Sequence, residues 1–61
     1  MKRIKLLQHL RKHGCVILRE GGKHTIVYNP ASGRLSSLPR HTEIDDRLAM
    51  RICKDLMVSQ P

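Results

Sequence analysis

Ile44, Leu48, Ile52 and Leu56 stand at every fourth position near the end of the chain, and Ala49, Cys53 and Met57 repeat beside them. That period predicts a helix over 43–57 with two adjacent apolar rows, a face that has to be buried against a second layer. Only 61 residues are present to supply that layer, and a chain of this length hides only about 60% of its unfolded surface on folding. The second layer must therefore be small. With no Trp, no Phe and Tyr28 as the one aromatic residue, the core between the layers has to be aliphatic.

The first 40 residues read as that second layer and its cover. Ile4, Leu7 and Leu10, with Leu6 four before Leu10, predict a helix over 3–13, and Gly14 is suited to stop it by adopting the left-handed conformation. Residues 15–20, Cys-Val-Ile-Leu-Arg-Glu, are rich in branched side chains and predict a strand; Gly21-Gly22-Lys23 turns the chain, and 24–29 predict a second strand. Asn29-Pro30-Ala31-Ser32-Gly33 is a second turn, followed by a third strand over 34–38. In this last strand Leu35 and Leu38 have opposite parity, which requires either a bulge or an exposed Leu35. Pro39 cannot donate to a ladder, so it ends that strand or lies on an edge. Thr42, with Asp45 three residues on, resembles a capping box, which would put Glu43, Asp45 and Asp46 in the first turn of the last helix. Val58 to Pro61 read as a short tail. The expectation is a single α+β domain over 1–61, a two-layer αβββα arrangement with both helices on one face of the sheet and the other face open. The double-stranded-RNA-binding fold has the same order, and it reads RNA by shape and phosphate contacts without aromatic stacking.

Charge narrows the partner. Residues 1–41 carry nine Lys and Arg against Glu20 alone, a balance of +8, whereas residues 42–61 balance to −1. A basic N-terminal two-thirds suits a polyanion, either nucleic acid or an acidic protein. The longest uncharged apolar stretch, Cys15 to Leu18, is far below the roughly 20 residues of a membrane helix, and the basic start lacks the apolar run of a signal peptide. Two cysteines are too few for a disulfide scaffold. No membrane partner and a reducing cytoplasmic setting are therefore expected.

Few constellations can carry chemistry. His9 and His13 are four apart, with Cys15 close behind and Cys53 distant, which is half of a structural zinc pattern; solvated histidines on a basic helix account for them better. Helical spacing splays Glu43, Asp45 and Asp46, so they do not converge as magnesium ligands. No metal and no cofactor is expected. Cys15 and Cys53 fit as buried reduced thiols. Gly21-Gly22-Lys23-His24 carries more. The glycines let a polyanion approach the backbone, Lys23 brings positive charge, and a histidine exchanges protons near neutral pH. RNA carries its own nucleophile in the 2′-hydroxyl, so a base, a cation for the phosphate and an acid for the leaving oxygen suffice to cleave it. His24 and Lys23 can fill the first two roles, with Arg40 or His41 for the third.

Gly22-Lys23-His24 opening the second strand, Tyr28-Asn29-Pro30 entering a turn, and Pro39-Arg40-His41 followed by Glu43-Ile44 at the last helix resemble the HicA family of toxin ribonucleases. Leu6-Leu7 through His13-Gly14 and the Arg19-x-x-Gly22 spacing fit as well, so the resemblance runs from about Ile4 to Val58. It implies a double-stranded-RNA-binding-like fold, cleavage of mRNA, and a hetero-oligomer with a HicB-type antitoxin. It also puts the family's catalytic histidine on His24, with Gly22 as the preceding glycine and Lys23 where serine is common. Lys23, Gly22, Arg40, His41 and Arg19 are the expected RNA-binding residues. Two positions depart from the family's habit: Cys15 stands where an aromatic is usual, and Asp46-Arg47 where Gly-Thr is often seen. The expected function is thus the toxin of a type II toxin–antitoxin system, a metal-independent endoribonuclease with His24 as general acid or base. The alternative is a non-catalytic RNA-binding module of the same fold.

Overall fold

A computed structural model describes residues 1–61 as α1 (Arg3–Lys12), β1 (Val16–Glu20), β2 (His24–Asn29), β3 (Arg34–Pro39) and α2 (Asp46–Asp55). The strands form one antiparallel sheet in the order β1-β2-β3. This is the small αβββα arrangement that the sequence predicts.

The pleat of β2 sorts the sheet into two faces. Thr25, Val27 and Asn29 are buried toward the helices, and His24, Ile26 and Tyr28 alternate away from them. The core gathers Leu6 and Leu10 of α1, Val27, Leu38, and Ala49, Ile52 and Cys53 of α2, together with Cys15, Ile44, Leu56 and Val58 from the flanking segments. No buried side-chain polar atom lacks a partner. The opposite face, with Val16, Ile26, Tyr28 and Leu35 on paired positions, is left uncovered.

The parity conflict in β3 resolves without a bulge. The ladder from His24↔Pro39 to Asn29↔Arg34 is regular, Leu38 is fully buried and Leu35 is 54% exposed on the open face. The bulge lies instead in β1, where the register slips between Ile17 and Arg19 and leaves Leu18 outside the pairing. Pro39 closes β3 on an edge strand, where its missing N–H costs no ladder bond.

Three sequence expectations need correction. The last helix begins at Asp46, and its N-cap is Asp45, whose carboxylate accepts the Arg47 N–H at 2.8 Å; Thr42 is not the cap. The reason is that residues 42–44 are held extended against the start of the chain. The Arg3 N–H donates to Thr42 O (2.8 Å), the Ile44 N–H donates to Met1 O (2.7 Å), and Lys2 bridges Glu43. Of the three acids, only Asp46 lies in the first helical turn. Met57 is not a core residue: it adopts φ 57° just past α2 and is 67% exposed. There the Met57 N–H reaches Lys54 O (3.0 Å) and the Val58 N–H reaches Cys53 O (2.8 Å), so the terminal carbonyls are satisfied and Val58 turns into the core. Ile4, finally, is 62% exposed, since Leu6 and Leu10 carry the buried side of α1.

Gly14 does stop α1, at φ 87°, with the same pair of bonds: Gly14 N–H to Arg11 O and Cys15 N–H to Leu10 O, both 3.0 Å. Asn29 locks the second turn to α2. Its Nδ2 donates to Leu56 O at 2.7 Å while its Oδ1 accepts the Ala31 N–H at 3.1 Å. No helix is long and apolar enough to cross a membrane.

The contrast within β3 is directly measurable. Leu38→Ala removes a fully buried side chain and is expected to cost about 3 kcal/mol in urea unfolding. Leu35→Ala, on the open face, should stay within about 0.5 kcal/mol of the parent. Comparable losses for both would contradict the assigned register.

Candidate active site

His24 is the first residue of β2, where the β1–β2 turn and the segment leaving β3 meet. Across one edge Glu20 pairs with Thr25, and the Gly21 N–H closes the turn on His24 O at 2.8 Å. A Cβ on Gly21 would stand 3.2 Å from that same oxygen, which favours glycine at this position. Across the other edge His24 pairs with Pro39, and the Arg40 N–H donates to Lys23 O at 3.3 Å. Arg40 then returns over the turn, its Nη1 donating to Gly21 O at 3.0 Å.

These connections leave a concavity of about 460 Å³ lined by Gly22, Lys23, His24, Pro39, Arg40 and His41. Two cations and two imidazoles line it, and no carboxylate does. All the lining side chains except Pro39 are exposed, so phosphate can reach them. A Cβ on Gly22 would meet nothing within 4 Å, and its φ is not in the left-handed region. Neither crowding nor backbone conformation requires glycine at position 22. Arg40 spends one N–H on Gly21 O, and its guanidinium has further donors for an anion. Arg19, the remaining residue expected at the site, does not line this concavity; its pairing with Ile26 puts it on the same sheet face as His24, on the neighbouring strand.

The other candidate groups are occupied elsewhere. The His9 and His13 rings lie 4.4 Å apart, but both bind the tail: His9 Nε2 donates to Ser59 O at 2.7 Å. His13 Nδ1 donates to His9 O at 2.9 Å, so the Ser59 hydroxyl donates to His13 Nε2 at 3.1 Å. His13 is exposed and His9 half-buried, and both bond Ser59, which ties the tail to α1. No three His, Cys, Asp or Glu side chains converge in a metal-binding geometry. Cys15 and Cys53 are buried, and desolvation pushes both thiols above their ordinary value, Cys53 further through its neighbour Cys15. That disfavours the thiolate a nucleophile needs.

A family model described as "HicA toxin of bacterial toxin-antitoxin" matches residues 4–58. The chain belongs to the HicA toxin family. No curated protein and no solved structure matches it. The matched span covers both helices almost whole, the three strands, and every residue lining the concavity.

Arg3 adds only a charge to the sequence pattern, yet its Nη2 donates to Thr25 Oγ1 at 2.7 Å and its Nε to Pro39 O at 3.2 Å. An arginine at the start of a helix carries no signal of a contact made across 22 and 36 residues of chain.

The raised thiols have a consequence for stability. The folded chain keeps these protons in a range where the unfolded chain, with thiols near 9.0, releases them. This contribution is therefore fully present below the unfolded value and is lost as pH rises through the folded values. The urea midpoint should fall between about pH 8 and about pH 10, and fall less in the Cys15→Ala/Cys53→Ala variant. Equal slopes for the two proteins would remove the thiols as the cause.

Proposed function

We propose that this HicA-family protein is a metal-independent endoribonuclease that cleaves mRNA, with His24 as general acid or base. The observation that carries the reading is the company His24 keeps: an exposed imidazole in one concavity with Lys23, Arg40 and His41, beside a glycine that leaves the backbone accessible. In the proposed reaction His24 takes the proton of the 2′-hydroxyl next to the scissile phosphate. The 2′-oxygen bonds to phosphorus as the bond to the 5′-oxygen breaks, and that oxygen leaves with a proton from His41 or from the protonated His24. Lys23 and Arg40 hold the non-bridging oxygens, whose charge grows as the phosphorus becomes five-coordinate. The nucleophile belongs to the substrate, so the chemistry asks only for proton transfer and charge stabilisation. Binding would follow phosphate and shape, because the concavity offers cations and imidazoles but no aromatic platform.

We further infer a cytoplasmic setting and an antitoxin of HicB type as partner. The family belongs to toxin–antitoxin systems, and the chain's net charge of +7 favours an acidic cover over the concavity.

His24→Ala should lower RNA cleavage by about 10²–10⁴-fold without loss of folding or RNA binding, and wild-type cleavage should persist in chelator. A His24→Ala protein as active as its parent would remove the catalytic role, and RNA bound without any cleavage product would favour the binding module. For the partner, the co-expressed complex is expected to melt at higher temperature than the isolated chain and to cleave RNA more slowly. An unchanged melting temperature would count against a tight antitoxin complex.

A further inference from the structure

We propose that Arg3 is a positioning residue for the His24 site, a proposal that rests on the nuclease reading for its kinetic consequence and on geometry for the rest. Arg3 is the first residue of α1, and its side chain is only 20% exposed although it bears a charge. A guanidinium is drawn into such a place when its fork meets several acceptors at once. Here it meets one on each strand. Nη2 donates to Thr25 Oγ1, next to His24 on β2; Nε donates to Pro39 O, the residue paired with His24 on β3; and Glu20, the last residue of β1, stands 3.6 Å from Nη2. The Arg3 backbone N–H donates to Thr42 O, just beyond His41.

Every segment that brings a group to the concavity is thus fastened to one side chain. The turn carrying Gly22 and Lys23 hangs from Glu20 and Thr25. Arg40 and His41 follow Pro39 and precede Thr42. Arg3 does not line the concavity itself, so it acts through the backbone positions of the groups that do. Misplacing a reacting group by about 1 Å can cost about 10²-fold in rate.

Arg3→Met keeps the methylene stem and removes the fork; water can replace the donor lost at part-buried Pro39 O, whereas the hydroxyl of fully buried Thr25 loses its donor, so some stability goes with it. The full chain should still unfold cooperatively. The kcat for RNA cleavage should fall about 10–100-fold with KM changed less than about 3-fold. Hydrogen exchange of the Gly21 amide, which closes the β1–β2 turn, and of the Arg40 amide, which bonds Lys23 O just beyond the β2–β3 ladder, should accelerate about tenfold, while the Leu56 amide bonded to Ile52 O at the far end of α2 keeps its protection. Arg3→Lys, with charge but one compact donor group, should recover only part of kcat.

Four outcomes would overturn the proposal. A raised KM with exchange unchanged, or full rescue by Arg3→Lys, would make Arg3 a phosphate contact. Loss of protection at Leu56 together with Gly21 would make it a general stabiliser. Should Arg3→Met fail to fold, Thr25→Val removes the closest acceptor at nearly constant shape, and the same kinetic and exchange pattern is expected of it; a Thr25→Val protein identical to its parent in both would overturn the proposal too. His24→Ala is measured alongside. If it cleaves RNA normally the nuclease reading falls, and the exchange at Gly21 and Arg40 still decides whether Arg3 holds this part of the fold.

Discussion

Successive side chains of a strand point to opposite faces, and in β2 that alternation does two things at once. Thr25, Val27 and Asn29 are drawn toward the helices, so His24, Ile26 and Tyr28 have to face the other way. The imidazole is therefore aimed outward by the burial of its neighbour, with no dedicated scaffold of its own. A register slip of one residue would bury His24 and expose Thr25 together, so the energy that specifies the sheet also specifies the site.

A core of this size cannot hold such a register by area alone, and the chain supplements it with hydrogen bonds at the ends of its elements. Both helices finish with the same pair of backbone bonds around a left-handed residue, Gly14 in one case and Met57 in the other. Glycine adopts that conformation freely. Methionine does so at a cost, and Val58, which the turn delivers into the core, offsets it. At opposite ends of β2 a single polar side chain joins the layers: Asn29 reaches the last carbonyl of α2, and Thr25 receives Arg3 from the first residue of α1. The sheet is pinned to one helix at each end, and the pin at the His24 end is the charged one.

What the sequence made legible follows from where the information lies. Elements set by local period or by turn residues could be read: the four-residue repeat of α2, Gly14, and the glycine and Asn-Pro turns that separate the strands. Gly22, Lys23, His24, Arg40 and His41 could be named together only through the family resemblance, because glycine, lysine and histidine in succession also make an ordinary turn and strand start; the fold brings the five to one concavity. What could not be read depends on contacts between distant segments. Thr42 has the chemistry of a cap, yet residues 42–44 are taken by pairing with residues 1–3, so the helix starts later on Asp45. Met57 keeps the helical period, but the helix has ended before it is reached. Arg3 looks like any surface arginine until the fold brings Thr25 and Pro39 to it.

The concavity itself is electrostatically one-sided. Lys23 and Arg40 line it with two imidazoles and no carboxylate, and the two acids nearest in sequence are held elsewhere, Glu20 by Arg3 and Glu43 by the Met1 ammonium and Lys2. Like charges held together in this way oppose folding through their mutual repulsion, and a chain free to vary would be expected to place an acid among them. The arrangement makes physical sense if the missing negative charge arrives with the ligand. An anion that settles between Lys23 and Arg40 relieves the repulsion and gains charge-assisted hydrogen bonds in the same step. By linkage, whatever binding free energy it gains from this state also stabilises the fold around it. With Glu20 paired to Arg3 and Glu43 to the first two residues, neither flanking acid pairs with Lys23 or Arg40, and both cations stay open to an anion.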